Sequence, residues 1–517
     1  MNFNQKVIGC LAFAFLLVLV TANPALSQVA RGSISGTVAD ASGAVIPGVG
    51  VTVINTGTNA TRELVSNESG VYAAELLTIG TYRVIAELPG FQVSIRDGIT
   101  LSSGDRLRVD LELIVGQLTE TVEVTAEAPL IRTEDAAMAA VMDQQKLTDL
   151  PLNGRNFIQL AYLIPGSFAP RQNSHLGHRG GITVGGVSEK TNQTLLDGIN
   201  NQGAGTHELS TPLIVDAIAE FKILTNTYGA QYGTFAGGQL DAITKGGSNE
   251  VHGGAFWFHR NDNLDARNFF DPWPIERLPE FRRHQFGGTI GGPIIKDKMF
   301  FFYAFEGQRQ IKNNTARGSM PREEFWDGDF SAVSKSLIDP LTGDPFPGNQ
   351  IPKDRLNWRS MKFKEFYTPH YPLTLPGLSQ NAINSSIDET DHRKQHAWRW
   401  DYSMNQDHSF SVSYNNFRST FVEWAQAGRP FLAEHRSHLS KQLAFHTAVN
   451  YTWVVSPTIV NDFRIGANRL IRRRSPIAFG DRYFNDEIKV YGTLADNFPF
   501  HRGIPDVRIK GYENLGS

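Results

Sequence analysis

The sequence predicts a mainly β chain with three folded parts in succession. These are a small β-sandwich, a glycine-rich α+β segment, and an antiparallel sheet that curls toward a transmembrane β-barrel. Three observations carry this. Apolar and polar residues alternate with period two in many short runs, the mark of half-buried strands. Gly is abundant at 48 residues, and Phe at 33 outnumbers Tyr (14) and Trp (8) together, while charged residues make up only 20%. That mixture suits β-structure that turns often and meets an apolar medium. In the second half, short and long connections alternate along the chain.

At 517 residues the chain has room for roughly three domains of ~100–200 residues each. Lys+Arg 49 against Asp+Glu 52 leaves a net charge of −3, so no whole-chain polycation exists and no nucleic-acid partner is expected. Apolar residues at 41% exclude global disorder. A single Cys excludes a disulfide scaffold. Beyond the first twenty residues no apolar run approaches the ~20 that a membrane-spanning helix needs.

The elements follow in order. Lys6, the apolar run 7–20 and the small-x-small site at Ala25, Leu26 and Ser27 read as a signal peptide over residues 1–27, cleaved before Gln28. Its removal takes Cys10 with it and leaves a thiol-free exported chain. Most of the apolar run lies after Cys10 rather than before it, which argues against a lipid anchor.

From Gly32 to Leu113 the alternation predicts about seven short strands separated by turns, a β-sandwich over 28–116. Ile34 and Val38 line the first strand; Val49, Val51 and Val53 the next. Tyr82, Val84 and Ala86 point inward after Gly80, and Leu107, Val109, Leu111 and Leu113 form the last strand. GTVADASGAVIPGVGVTVIN followed by SGVYAAELLTIGTYRVIAELPGF resembles the carboxypeptidase regulatory-like, transthyretin-like domain. Peptidase activity does not follow, because residues 28–115 hold neither His nor Cys to ligate zinc. The resemblance implies a carbohydrate-binding-like surface or a folded spacer.

Residues 117–135 read as a linker. Within it Glu120, Thr121, Val122, Glu123, Val124, Thr125 and Ala126 alternate outside the sandwich, and an unpaired β-prone strand can be captured by a partner's sheet edge. A final sandwich strand or a plain linker would read the same way. ETVEVTA resembles the energy-coupling box of TonB-dependent outer-membrane receptors. Residues 136–249 then carry LPLNGRNF, a short helix IQLAYLIPG, a strand at 181–186, QTLLDGIN, an amphipathic piece at 214–221 feeding a strand at 222–224, and YGAQYGTFAGGQLDAITKGGSN. In that order the set resembles the small α+β plug domain of those receptors, above all the Oar-like group. Asp241 stands where that family usually has Asn. The resemblance makes Arg155, Asn156, Asp197, Gly198, Lys245, Gly246 and Gly247 the plug-motif residues. It implies a TonB-type energy-coupling protein as partner.

The rest, 250–517, is expected to be barrel. His396, Trp398, Trp400, Tyr402 and Met404 alternate with Gln395, Ala397, Arg399, Asp401 and Ser403. Phe410, Val412 and Tyr414 alternate with serines. Leu443, Phe445, Val449, Tyr451 and Trp453 oppose Gln442, His446, Asn450 and Thr452; Ile459, Phe463 and Ile465 oppose Asp462, Arg464 and Asn468. Phe301, Tyr303 and Phe305 share a side opposite Ala304 and Glu306. Strands of ~10 residues with one apolar side suit outer-membrane lipid. Short turns at 294–298, 405–407 and 455–457 and long loops at 261–282, 308–394 and 419–440 match periplasmic turns and outer loops. About seven strands make an incomplete barrel, since a plugged receptor needs about 22. The chain is therefore expected to be the N-terminal portion of a longer product, or a broken gene.

Sites for chemistry are weak. His175 with His178, and His435 with His438, lack a third ligand; Asp262 and Asp265 lack the closing Glu of a calcium loop. Arg472, Arg473 and Arg474 read as a solvated loop or a lipopolysaccharide contact. No catalytic constellation, metal site or cofactor is expected, and the chain is not expected to be an enzyme. The reading is an outer-membrane receptor, sandwich and plug on the periplasmic side, importing a glycan, siderophore or peptide. The alternatives are a surface adhesion or structural protein, and a non-functional fragment.

Overall fold

A computed structural model describes residues 31–116, 121–125, 138–169, 181–203, 207, 209–226, 235–266, 280–319, 322–367, 382–423, 438–456 and 459–476. The signal-peptide expectation lies outside them, as do Glu120, Ala126, His175, His178, His435 and the segment 228–234.

The sandwich forms where the alternation places it. One sheet holds β4 (Val71–Leu77), β1 (Gly32–Asp40) and β7 (Arg106–Arg108), with β8 (Leu111–Leu113) also on β1. The other runs β3 (Thr61–Val65), β2 (Gly50–Asn55), β5 (Gly80–Glu87), β6 (Val93–Leu101), β9 (Thr121–Thr125). Every residue expected inward is buried, from Ile34 and Val38 through Val49, Val51, Val53, Tyr82, Val84 and Ala86 to the four residues from Leu107 to Leu113. That last expected strand is in fact two short ones. Both lie parallel to β1 (Ser33↔Arg106, Val38↔Leu111), and between them Val109 donates to Ser35 and accepts from the Tyr72 hydroxyl. Two further strands, β3 and β6, escaped the alternation test because they are polar and β6 is bulged against β5.

A second correction concerns Thr121–Thr125. The segment was expected outside the sandwich and unpaired, yet it adds to β6 in parallel over five residues, Val93↔Thr121 to Asp97↔Thr125. The sandwich edge is the nearest unsatisfied row of backbone donors and acceptors, and a β-prone strand tethered a few residues away fills it.

The middle unit is a mixed five-stranded sheet in the order β10 (Met138–Asp143), β15 (Ile218–Asn226), β16 (Gln239–Thr244), β13 (Gln193–Leu196), β14 (Ile199–Asn200). A two-stranded ribbon, β11 (Ser167–Phe168) with β12 (Thr183–Val184), stands apart. Helix Gln144–Asp149 is capped by Asp143, and the 3-10 helix Phe157–Leu163 packs Phe157, Ile158, Leu160 and Ala161 onto the sheet. Phe157 meets Phe221 edge-on at 5.1 Å.

Seven antiparallel strands follow in a simple meander: β17 (His252–Asn261), β18 (Phe281–Ile295), β19 (Met299–Ser319), β20 (Ala382–Ser403), β21 (His408–Glu423), β22 (His438–Ser456) and β23 (Ile459–Pro476). The expected sides are correct. Trp257, Phe286, Trp398, Trp400, Tyr414, Trp453, Phe463 and Ile465 are exposed on one face of this wall, while Ala304, Ala397, Ala444 and Ala448 are buried on the other, the face the middle unit packs against. Most of these strands are longer than the expected ~10 residues, so the 308–394 loop shrinks to 320–381. Arg472, Arg473 and Arg474 prove to lie in β23, paired with Gln442, Lys441 and Ser440, rather than in a loop. Polar strand ends lack the alternation that marks the lipid-facing part, which is why sequence reading cut them short.

Candidate functional site

The residues singled out by motif converge where the middle unit meets the buried face of the wall. The turn Asn153–Arg155 is forced by two left-handed residues, Gly154 (φ 69°) and Arg155 (φ 52°). It throws the Arg155 guanidinium across the interface. Arg155 Nε donates to Glu306 Oε2 at 3.0 Å, its Nη2 pairs with Asp216, and the group lies over Phe256 (4.3 Å) and Phe258 (5.0 Å). On the same turn Asn153 accepts from Arg283 Nη1 (2.9 Å) and the Gly154 carbonyl from Gln285 Nε2 (3.2 Å). Asn156 stays local, its Oδ1 capping the Ile158 amide.

Asp197 and Gly198 form the two-residue turn between β13 and β14, both with positive φ (51° and 79°), as a tight hairpin of this hand requires. The Asp197 carboxylate accepts from the Thr244 amide and hydroxyl, both at 2.8 Å. Arg399 of the wall stands 3.6 Å from the same carboxylate, donates to the Thr244 carbonyl at 2.7 Å and is held in place by Asp401. Thus one lock reaches from the middle unit to the wall through Arg155, and another reaches back through Arg399.

The run after β16 slides between them. Lys245 donates its amide to Ala217 (2.8 Å), and burial pushes its ammonium down to about 8 against the pull of Asp216. Gly246 faces Asp401. At Gly247 a Cβ would fall 2.5 Å from the Phe301 carbonyl oxygen and 2.8 Å from that of Gly292, so only glycine lets the backbone run this close to β18 and β19. Asp241 sits in register with Leu195 and Lys222, and burial raises its carboxyl to about 7. On the far flank Asn468 Nδ2 donates to the Asn200 carbonyl at 2.6 Å.

The sandwich attaches at the end of the wall that carries the short turns. Asn59 Nδ2 donates to Asp297 Oδ1 (2.9 Å), which also accepts from Asn249 Nδ2 (2.8 Å). It touches the middle sheet as well: Ser103 donates its amide to Glu220 Oε1 (2.6 Å), and Lys222 Nζ donates to the Ser103 carbonyl (2.7 Å). Burial raises the Glu220 carboxyl to about 7.

Motif reading found part of the middle unit's share of these contacts, Arg155, Asp197 and Lys245 to Gly247, and missed the rest. Glu306, Arg399 and Asp401 were visible only as inward polar positions of an alternating strand, a signal that marks the face but not the partner. Asp216, Ser103, Glu220 and Lys222 carried no signal. Of the metal temptations, Asp262 is buried and accepts from the Phe281 amide, and Asp265 pairs with Arg260. Among the described residues no cluster of three potential metal ligands occurs.

Comparison with known proteins gives two domain matches. An outer membrane beta barrel domain matches residues 243–517, just over half of the chain, and a carboxypeptidase regulatory-like domain matches 33–114. Over 292 residues the chain is 28% identical to the TonB-dependent transporter Oar of Myxococcus xanthus, covering 53% of this chain and 26% of that protein. The chain thus spans about a quarter of that relative's length. Solved structures with a similar outline include the outer membrane transporter YddB from Escherichia coli (10% identity, 66% of this chain and 42% of that one, TM-score 0.44) and a ferric enterobactin receptor mutant from Pseudomonas aeruginosa (14%, 66% and 46%, TM-score 0.34).

Proposed function

This chain belongs to the outer membrane beta barrel domain family, and from that premise we propose that it is a TonB-dependent receptor that binds a cargo at the cell surface and admits it when an inner-membrane partner pulls. In this reading residues 1–27 are a signal peptide, 28–116 the regulatory-like sandwich, 117–135 the coupling linker, 136–249 the plug, and 250–517 the first strands of the barrel. The outer membrane is the site of action.

The observation that carries the reading is the pair of opposed locks. A body meant to stay in a pore for good would be seated by apolar packing. Here one small apolar patch, Ile214 and Ala217 against Phe302, Ala304 and Ala397, is joined by ion pairs, amide contacts and close glycine backbone, the polar part of which water can satisfy once the body moves. The Asn153–Arg155 turn, the Asp197–Gly198 turn and the Lys245–Gly247 run would be the plug's three bearings. Glu120 to Ala126 would be the handle gripped by a TonB-type protein.

Cargo would be small and chemically open: glycan, siderophore or peptide. A second reading has one observation in its favour. The connection after β19 carries its own folded lobe, in which Arg355 pairs with Asp339 and the Asn349 side chain donates to the carbonyls of Phe330, Val333 and Lys335. A protein whose task is surface display would have reason to build such a lobe.

Energised uptake separates the two. With Val122→Pro or Val124→Pro, a transporter keeps surface binding of its cargo and loses uptake, because proline removes a backbone donor that strand addition needs. Unchanged uptake in both variants would refute the coupling role. Growth of a deletion strain on candidate nutrients gives the complementary result: a transporter loss starves the cell, whereas a display protein's loss does not.

A further inference from the structure

We propose that the β6 edge of the sandwich is an acceptor for the coupling strand Thr121–Thr125, so that sandwich and energy-coupling partner compete for one stretch of backbone. The inference rests on the coupling role proposed above and adds its regulation.

Thr121–Thr125 is the terminal strand of the five-stranded sheet, joined to β6 by five consecutive parallel pairs. Without it β6 would be an open edge, the kind of surface that recruits an extended segment. The occupant is covalently attached close by, so its effective concentration at that edge is high and no outside strand can easily displace it.

The attachment points of the sandwich decide what this pairing does under load. Asn59 ties the sandwich to Asp297 at a short turn of the wall, and Ser103 ties it to Glu220 and Lys222 of the middle sheet. Tension applied to Thr121–Thr125 while it lies on β6 therefore runs into the sandwich and on to the wall. The middle unit's first strand, β10, begins only at Met138, so a pull on Thr121–Thr125 would reach it only after the strand has left β6. Release from the sandwich thus precedes productive pulling. The sandwich acts as a brake on coupling.

A cysteine pair placed in register tests this in the full chain in outer-membrane preparations. Ile95 pairs with Glu123, and the only native cysteine is Cys10. Ile95→Cys with Glu123→Cys is expected to form a disulfide under mild oxidation, while Glu63→Cys with Glu123→Cys, with Glu63 on the far strand β3, does not. Capture of a purified periplasmic domain of a TonB-type protein is then compared between the native chain and Arg96→Pro, which breaks the β6 edge and leaves Thr121–Thr125 unchanged. The expected result is capture at least ten-fold stronger by Arg96→Pro. Failure of the in-register pair to cross-link overturns the proposal, because the strand is then not held on β6. Equal or weaker capture by Arg96→Pro also overturns it and leaves the coupling role standing. No capture by either chain overturns the coupling role, and the brake falls with it.

Discussion

The sandwich and the middle unit are both small β bodies joined to the same wall, and they differ in how many large polar groups they bury. In the sandwich the interior is a continuous set of Ile, Val, Leu, Tyr and Ala with a few short buried polar residues such as Ser66 and Asp105, and its outside contacts are hydrogen bonds at turns and the Arg31–Asp462 ion pair. The middle unit has an apolar core too, but Asn192, Gln193, Thr194, Asp197, Asn201, Gln202, Glu220, Lys222 and Gln239 are also buried in it or against its neighbours. Removing apolar surface from water stabilises by about 25 cal/mol per Å² and is lost in full on separation. A polar contact nets only about 0.5–1.5 kcal/mol, because water replaces it. In the proposed reading one body would keep its shape under load and the other could leave its seat.

The largest test of that contrast is a charge in the sandwich interior. Val84→Asp places a carboxylate with no partner among apolar side chains and should cost more than about 4 kcal/mol, enough to unfold the sandwich. Limited proteolysis should then cut within 31–116 while hydrogen exchange in 157–163 stays slow. Arg155→Ala reverses the pattern. It leaves Glu306 and Asp216 without their cation, an expected loss of about 3–5 kcal/mol, read as faster exchange at Phe157–Leu163 with the sandwich unchanged. If both variants loosened both bodies equally, the two would be one cooperative unit and the contrast would be gone.

Gly247→Ala should act more mildly, about 1–3 kcal/mol, by pushing the backbone off the Phe301 and Gly292 carbonyls. A lowered thermal midpoint with normal barrel assembly is the expected result. The last test concerns pH. Glu220 binds its proton more tightly in the fold (about 7) than in the unfolded chain (4.5), so the folded state holds the extra proton between those values. Its contribution to stability is fully present below about 4.5 and is lost as pH rises through 7, at no more than about 1.4 kcal/mol per pH unit. Glu220→Gln should flatten that slope in a denaturation series from pH 4.5 to 7.5.

Sequence reading succeeded where a side chain's own neighbours in the chain decide its place. Val49, Val51 and Val53, or Trp398 and Trp400 against Ala397 and Arg399, declare their faces by alternation alone. It failed where the decision is made across space. Thr121–Thr125 looks the same whether free or zipped onto β6, and nothing near Glu306 foretells an arginine from the Asn153–Arg155 turn. The polar far ends of β19 and β20 were lost for a third reason: neither lipid nor core imposes a pattern there.

Those far ends carry a consequence of their own. At roughly 3.3 Å per residue, strands of 21 and 22 residues run about 70 Å, well beyond an apolar band of about 25 Å even when steeply tilted. The excess lies at the end away from the short turns, which faces outward in the proposed reading, so this pair of strands would hold the 322–367 lobe clear of the apolar band. Whatever that lobe touches would be met out among the surface sugars, well before it reaches the mouth of the pore.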